Sequence, residues 1–387
     1  MEKICLVHVP ILLAAYLAQA CSASAQAAKP VEGSATSLRT PTGGTSNVLD
    51  KCVMIGGAEF YVAIDNKGNW PNLVTLPRGE IGAFIYNHPS HGFGCGDVEL
   101  WTGADGGRLW TFRSKVSDHS DAPAKVRMNH AVGFNAKGEV VVVVSGWSEG
   151  RRMPLLPVQV CISSDGGRNW QRHELPVNDV PFGKIICSPD GTLTSVWYNK
   201  DRANLYASRD GGRTWQLSHM LAEEGNETAL LRCRSGKWLA VMRNSAGSMT
   251  LFTSSDEGRT WSSPRPAPLR GHPADLLQLA DGKILLTCGR GPGIMATFSD
   301  DEGATWSSAM TFLSVPWKET DHGYPSSVQL GDGTIVTAYY FGGRKGEEKY
   351  GGRADLPDSH GLPWHRRYHM GVMRYRLEDL GKADKGW

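Results

Sequence analysis

Short apolar runs alternate along the chain with turns that contain glycine, and this arrangement occurs six times. Each copy has an apolar run, a glycine turn and a second apolar run, as in "AVGFNAKGEVVVVVS" and "LLQLADGKILLTC". Such a pattern is typical of β-hairpins. Helical periodicity is absent over any useful length, so the pattern predicts an all-β chain. The turn glycines are Gly79, Gly138, Gly191, Gly236, Gly282 and Gly333.

A second motif of eight residues recurs out of phase with the hairpins. Four close copies read "SSDGGRNW", "SRDGGRTW", "SSDEGRTW" and "SDDEGATW", and "GADGGRLW" is a degenerate copy. A period of this length indicates a solenoid, a propeller or another array of similar units. The aspartates of the motif lie 60, 45, 46 and 45 residues apart, at Asp105, Asp165, Asp210, Asp256 and Asp301.

Six hairpins, five of which lead into the motif, predict six antiparallel units of about four strands each. Closing such units into a ring protects the sheet edges, so we expect a six-bladed β-propeller over residues 50–380. In the motif, Asp and Ser side chains can satisfy backbone donors of a turn, and Gly permits a positive φ. We interpret the copies as turn fasteners, that is, side chains that stabilise a turn by hydrogen bonds to its backbone, without a catalytic role. Their spacing lacks the EF-hand pattern of a calcium site.

The composition is that of an ordinary globular protein, with 40% hydrophobic and 21% charged residues. The formal net charge of +2 gives no reason to expect nucleic acid or an acidic membrane as a partner. The sequence contains no dinucleotide-binding or phosphate-loop signature, so no organic cofactor is implied. The oligomeric state stays open.

The N-terminus has the features of a secretory signal peptide over residues 1–27. Lys3 precedes the apolar run "ICLVHVPILLAAYLA", and "ASAQA" ends in a cleavage-site pattern. The run is too short for a stable membrane span. Residues 28–49 read as a flexible leader and 381–387 as a tail. We expect export to the periplasm or the medium, and favour this over lipid attachment at Cys21 because "LAQAC" matches the attachment pattern poorly.

The remaining six cysteines show no dense disulfide framework. Cys187, Cys233 and Cys288 each lie in an apolar, strand-like run, so we favour small buried hydrophobes over disulfides. No Cys, His and carboxylate set has a recognised zinc spacing, and a metal site is not expected. A serine hydrolase is disfavoured too, because the chain lacks a G-x-S-x-G elbow.

The repeated S-x-D-x-G-x-T-W motif resembles the Asp box of the sialidase (neuraminidase) superfamily, whose members are β-propellers. In such a fold, ligands bind at the mouth of the central channel. The segments just before each hairpin should point there.

The resemblance implies catalytic roles for a tyrosine and a glutamate. "GYPSSVQLGDG" resembles the segment of the nucleophilic tyrosine, which corresponds to Tyr324. "NETALLRCRSGKWLAVMRN" resembles the segment that holds the activating glutamate and an arginine of the substrate clamp, here Glu227 and Arg243. Arg290 lies close to a second clamp position. A carboxylate beside a tyrosine can take its proton as it attacks.

The sequence departs from the family pattern at two positions. Asn69, in "NWPN", stands where a clamp arginine is expected, and Arg127 is a candidate for the missing charge. Asn129 stands where the acid aspartate is expected, beside His130, whose imidazole could titrate near neutral pH. His91 is a second candidate acid. Further histidines at predicted channel-facing positions, which we assign to substrate binding, are His88, His272 and His322.

The resemblance favours an exported glycoside hydrolase that removes a terminal sugar from a glycan, with an acidic sugar favoured. A His-rich centre with Tyr and Arg could instead eliminate across a uronic acid, as a polysaccharide lyase does, or cleave a sugar other than sialic acid. A propeller that binds glycans without catalysis is the third reading. The sequence does not identify the sugar or its linkage.

Overall fold

The hairpins expected from the sequence belong to antiparallel units of four strands, which hydrogen-bond into five sheets of 5, 8, 4, 5 and 4 strands. The computed structural model describes residues 45–47, 52–119, 125–148, 154–199, 202–244, 248–291, 293–314, 320–344 and 368–380, all within the unit Gly43–Trp387. The strands in chain order are β1 (Thr45–Asn47), β2 (Val53–Ile55), β3 (Ala58–Asp65), β4 (Asn69–Thr75), β5 (Ile81–Tyr86), β6 (Val98–Ala104), β7 (Leu109–Lys115), β8 (Lys125–Phe134), β9 (Val140–Ser148), β10 (Gln159–Ser163), β11 (Gln171–Glu174), β12 (Val180–Cys187), β13 (Leu193–Asn199), β14 (Arg202–Ser208), β15 (Gln216–Ala222), β16 (Thr228–Arg232), β17 (Trp238–Arg243), β18 (Met249–Ser254), β19 (Arg265–Pro266), β20 (Ala274–Gln278), β21 (Ile284–Cys288), β22 (Gly293–Ser299), β23 (Met310–Ser314), β24 (Thr320–Gln329), β25 (Ile335–Arg344) and β26 (His369–Tyr375). Two short 3-10 helices are Asp105–Gly107 and Leu377–Asp379.

Five units are consecutive along the chain: β4–β7, β8–β11, β12–β15, β16–β19 and β20–β23. A parallel pairing of β8 with β12 joins the second and third units into one eight-stranded sheet. The sixth combines β24, β25 and β26 with β3 from the N-terminal part, which pairs with β26. The first strands contact each other in chain order, and β24 contacts β4.

Each hairpin turn contains its expected glycine in a left-handed conformation, with φ between 76° and 97°. In the first turn, Leu76 and Glu80 are joined by a backbone hydrogen bond of 2.8 Å, and Gly79 donates to Leu76. The five other turns repeat these two bonds. The expectation of six glycine hairpins is therefore confirmed, because only a residue without a Cβ takes this φ freely.

Four copies of the Asp box form the same network of hydrogen bonds. In the third copy, Ser208 donates to Asp210, which accepts from the backbone and hydroxyl of Thr214, while Gly212 N–H donates to Ser208. The first copy has Gly103 in place of serine and forms a 3-10 turn. A Cβ at Gly103 would lie 3.0 Å from the Trp110 ring, so a serine there would require the ring to shift. The boxes are turn fasteners, as expected.

The six cysteines after the N-terminal segment are all free thiols in this structure. Cys233 and Cys288 are buried and Cys187 is half-buried, in agreement with the expectation of small hydrophobes. Thr45–Asn47, within the predicted leader, pairs with β7. The predicted signal peptide, the rest of the leader and the tail at 381–387 lie outside the described residues, and the domain limits stay predictions.

Candidate active site

A hydrogen bond between Tyr324 and Glu227 forms the centre of the candidate site. Tyr324 lies in β24 and Glu227 immediately precedes β16, so the bond joins residues 97 positions apart. The tyrosine hydroxyl donates to Glu227 Oε1. Arg243, at the end of β17, donates from Nη1 to Glu227 Oε2 at 2.7 Å. Tyr324 and Glu227 are buried and Arg243 is half-buried. The structure thus brings together three residues that the resemblance selected.

The surroundings of Glu227 keep it ionised. Burial alone raises the pKa of Glu227, but the charge of Arg243, the Tyr324 hydrogen bond and the charge of Arg290 outweigh it and hold that pKa below its ordinary value. Burial, together with the charge of Glu227, raises the pKa of Tyr324 well above that of a free phenol. The pair is therefore a neutral phenol that points its proton at a carboxylate, which can accept that proton.

Arg290 belongs to a second cluster, whose centre is Asp321. Arg290 Nη2 donates to Asp321 Oδ1 at 3.0 Å and to the hydroxyl of Tyr340 at 2.7 Å. Tyr340 in turn donates to Asp321 Oδ1 at 2.7 Å, and Tyr368 donates to Oδ2 at 2.8 Å. His91 Nδ1 lies 2.6 Å from the same Oδ2. Asp321 therefore fixes two of the residues that the sequence selected, Arg290 and His91.

Asp321 also remains a carboxylate despite its burial. Burial raises its pKa, but His91, Arg290 and the hydrogen bond from Tyr340 together hold the pKa of Asp321 well below its usual range. A carboxylate that accepts from the imidazole of a histidine fixes the tautomer and orientation of the ring and stabilises its protonated form. The Asp321–His91 pair has this arrangement.

Trp70 connects the two clusters. Its ring stacks on Tyr340 at 5.0 Å between centroids and meets His91 at 4.7 Å and Tyr324 at 5.5 Å, both edge to face. The Arg290 guanidinium lies 5.4 Å from the centre of the Tyr324 ring. Trp70, Arg290 and Tyr324 all take positive φ, at 54°, 53° and 51°. Left-handed backbone at residues other than glycine is unfavourable and concentrates at functional sites.

Asn69 and His88 support the loop that carries His91. Asn69 is buried and donates to the carbonyls of His88 at 2.7 Å and Ser90 at 3.0 Å. His88 Nδ1 lies 2.8 Å from the Ser90 hydroxyl. The structure therefore gives Asn69 the role of a loop brace at the position where the resemblance expects a clamp arginine.

His130 and Asn129 line a cavity together with Trp70, Phe182 and Tyr324. Nδ1 of His130 lies 2.8 Å from the carbonyl oxygen of Met128. Burial lowers the pKa of His130 to about 4, so the imidazole is neutral at pH 7. Of the two candidate acids, only His91 has a carboxylate partner among the described residues.

The other residues proposed from the sequence lie around this centre. The backbone N–H of His272 donates at 2.7 Å to the carbonyl of Gly289, next to Arg290. His322 is buried with its ring stacked on Phe341. Arg127 is buried and donates to the Pro157 carbonyl and to Glu174, so it does not reach the Tyr324–Glu227 pair.

Sequence reasoning missed Asp321, Trp70 and Tyr340. A positional signal exists for the first two, since Asp321 precedes Tyr324 by three residues at a strand start and Trp70 directly follows Asn69. Tyr340 lies within a long apolar strand and carries no such signal.

Two surveys of the described residues bear on partners. No helix in that part of the chain is long and apolar enough to cross a membrane. Within the same residues, no three His, Cys, Asp or Glu side chains are arranged to hold a metal ion.

Comparison with known proteins identifies relatives of this architecture. Residues 94–337, more than half of the chain, match the family model described as BNR repeat-like domain. No curated protein sequence matches the chain. A crystal structure of a protein of unknown function from Dyadobacter fermentans is similar, with a TM-score of 0.67, 19% identity and coverage of 83% of this chain and 100% of that one.

Two similar structures are sialidases. NanB sialidase from Streptococcus pneumoniae has a TM-score of 0.63 and 13% identity, with coverage of 85% of this chain and 71% of that one. Trypanosoma rangeli sialidase has a TM-score of 0.59 and 13% identity, with coverage of 87% and 60%. At these identities the likeness concerns the fold.

Proposed function

This chain belongs to the BNR repeat-like family and shares its fold with known sialidases, and from this premise we propose that it is a glycoside hydrolase that removes a terminal sugar from a glycan. The observation that carries the proposal is the buried hydrogen bond from Tyr324 to Glu227, which also accepts from Arg243. A tyrosine aimed at an ionised carboxylate is a nucleophile with its base in place.

We also infer that the six units form the blades of a closed propeller. The contacts between successive first strands, together with the contact of β24 with β4, support a ring. The pairing of β3 with β26 supports closure, because it completes the last unit with a strand from the beginning of the chain. The Tyr324–Glu227 pair and the Asp321 cluster would then lie at the mouth of the channel.

The proposed reaction has two steps. Tyr324 Oη attacks the anomeric carbon while its proton passes to Glu227, and the bond from that carbon to the leaving oxygen breaks. The leaving oxygen takes a proton from His91. In the second step His91 removes a proton from water, the resulting hydroxide displaces Tyr324 from the anomeric carbon, and Glu227 returns the proton to the phenol. The sum is hydrolysis, with Tyr324, Glu227 and His91 all restored.

The choice of His91 as the acid follows from its partner. The Asp321 carboxylate, 2.6 Å from Nδ1, fixes the orientation and the tautomer of the ring. His130 has a carbonyl at Nδ1 and a pKa lowered to about 4 by burial, so it carries no proton to donate as an imidazolium at neutral pH.

Export through the signal peptide at residues 1–27 is part of the proposal.

The test is hydrolysis of a panel of fluorogenic sialosides, uronides and neutral glycosides by the wild type and by Tyr324→Phe. We expect one class to be cleaved and the variant to lose at least ~10³-fold in kcat. A fluorinated analogue of the cleaved sugar should label Tyr324, as read by mass spectrometry. Tyr206→Phe is the matched control, because Tyr206 also donates to a carboxylate, Asp179 at 2.9 Å, in an outer strand.

Three results would contradict the proposal. Equal rates for wild type and Tyr324→Phe would remove the tyrosine from the reaction. Products that absorb in the ultraviolet as unsaturated uronides would indicate a lyase. Glycan binding that survives in both variants, without turnover of any substrate, would indicate a binding protein.

A further inference from the structure

The hydrogen bonds that the Arg290 guanidinium already makes affect which sugar the site can bind. A guanidinium grips a carboxylate with two parallel N–H bonds, from Nη1 and Nη2 or from Nε and Nη2. Both grips need a hydrogen of Nη2. In this structure Nη2 donates to Asp321 Oδ1 at 3.0 Å and to the Tyr340 hydroxyl at 2.7 Å. A substrate carboxylate would have to compete with Asp321 for Nη2.

Arg243 is engaged as well. Its Nη1 donates to Glu227 at 2.7 Å, so each arginine of the expected clamp is paired with a carboxylate of the chain. The negative charges of Glu227 and Asp321 balance the positive charges of Arg243 and Arg290, and the proton that the proposed mechanism places on His91 leaves with the first product. A third carboxylate brought by a sugar would meet two like charges in a largely buried place, which is unfavourable.

The Asp321–Arg290 pair is built into the fold. Tyr340, in β25, donates to Asp321 at 2.7 Å, and Tyr368, which directly precedes β26, donates to it at 2.8 Å. Arg290 keeps a left-handed backbone with φ of 53°, which requires support from its neighbours. Releasing Arg290 for a substrate carboxylate would leave Asp321 buried with fewer donors, at a large cost.

The wall beside the pair is aromatic. Trp70 stacks on Tyr340 and packs against Tyr324, directly after Asn69, which stands where the resemblance expects a clamp arginine. Indole and phenol rings offer an apolar face with polar tips. Such a surface suits the C–H face of a pyranose, while single N–H and O–H groups suit its hydroxyls.

We propose that the terminal sugar of this site is uncharged, because Asp321 occupies the carboxylate grip of Arg290 and Trp70 supplies an aromatic face. This inference rests on the proposed glycosidase function. It replaces the sequence-based expectation of an acidic sugar with a neutral one, a hexose or a related sugar without a carboxylate.

The experiment compares 4-methylumbelliferyl hexosides of both anomeric forms with the matching hexuronides, and includes the sialoside. For the wild type we expect the best hexoside to exceed its hexuronide at least ~100-fold in kcat/KM, since like-charge contact is costly. Preference for a hexuronide or for the sialoside overturns the proposal.

Asp321→Asn provides the second arm. The amide removes the competing charge, so the ratio of acidic to neutral kcat/KM should rise ~10-fold, even though absolute rates fall as His91 loses its partner. An unchanged ratio overturns the proposal. The control is Asp179→Asn, because Asp179 is a carboxylate that accepts from Tyr206 and Asn199 outside the site. It should leave the ratio as in the wild type.

Binding separates this inference from the proposed function. If no substrate of the panel is hydrolysed, the proposed hydrolase function is refuted. Calorimetry then tests separately whether the site binds a neutral or a charged sugar. Methyl hexosides, methyl hexuronides and N-acetylneuraminic acid are titrated into Tyr324→Phe. Binding of a methyl hexoside in preference to its uronide supports a neutral sugar. Tighter binding of the charged members, or binding of no hexoside, overturns it.

Discussion

The Asp boxes and the Tyr324–Glu227 centre both depend on carboxylates that accept hydrogen bonds. They differ in how far along the chain the partners of each carboxylate lie. In a box, Asp210 finds its partners within four residues, in Ser208 and Thr214. In the centre, Glu227 and Tyr324 are 97 positions apart, and His91 and Asp321 are 230 apart. A box is therefore a local structure that can be repeated, whereas the centre exists only once the sheets are assembled.

Two arginine–glutamate pairs make the difference measurable. Glu257, in a box, accepts from Arg232 through both oxygens at 2.8 and 2.7 Å, with 36% of its side chain exposed. Glu227 accepts from Arg243 with 6% of its side chain exposed. Solvent screens the first pair and not the second. Equal substitutions at the two sites should have unequal effects on stability and on activity.

The largest effect is expected for Glu227→Gln. It removes the base for Tyr324 and leaves Arg243 as an unpaired, half-buried charge, so kcat should fall by ~10³-fold and the free energy of unfolding by about 3 kcal/mol. Hydrolysis of the best substrate and denaturant titration measure the two quantities.

Glu257→Gln is the matched variant and should keep full activity. Its cost should be below about 1 kcal/mol, because solvent weakens an exposed ion pair. Similar losses of stability in both variants would contradict the contrast between the two regions.

The same contrast explains what could be predicted from the sequence. The box and the hairpin glycines are visible because each turn needs a serine, an aspartate or a positive φ within a few positions. Tyr324, Glu227 and Arg243 could be selected by their resemblance to a family. Asp321 and Trp70 have only a positional signal next to the selected residues. Their roles come from contacts with residues on other segments, such as Tyr340 and His91, which the sequence does not show.

The next largest effect separates the two candidate acids. His91→Gln should lower kcat ~100-fold for substrates with poor leaving groups, since a general acid contributes most where the leaving oxygen is basic. The loss should shrink for an activated phenol as leaving group. Initial rates on a series of aryl glycosides give the slope against leaving-group pKa.

His130→Gln is the counterpart and should leave that slope unchanged, because burial keeps the His130 imidazole neutral at pH 7. A slope that steepens in His130→Gln and not in His91→Gln would exchange their roles.

Within the boxes, a smaller effect is expected for Asp210→Ala. The variant loses the bonds from Ser208 and Thr214, and the free energy of unfolding should fall by about 1 kcal/mol, allowing for the exposure of the turn. Hydrolysis should persist. Asp105→Asn is the control, because the Asp105 carboxylate has no hydrogen bond to the described residues and asparagine tolerates its φ of 48°. A larger cost at Asp105 would refute the fastener role.

The smallest effect is the contribution of one box aspartate to the pH dependence of stability. Hydrogen bonds from the side chain and backbone of Thr305 and from Ser299 lower the pKa of Asp301 to about 2, compared with about 3.9 in an unfolded chain. The unfolded state therefore binds the proton first as the pH falls. The stabilisation from Asp301 is complete above about pH 5 and disappears between there and about pH 2.

Asp301→Asn removes that titration. The difference in unfolding free energy between wild type and variant should be largest at pH 7 and should shrink as the pH falls to 3, as measured by urea titration at each pH. Glu227 and Asp321 also have lowered pKa values, so both proteins should still lose stability in acid. The variant should lose less than the wild type. A difference that is constant with pH would mean that Asp301 acts through the shape of its side chain and that its charge contributes nothing.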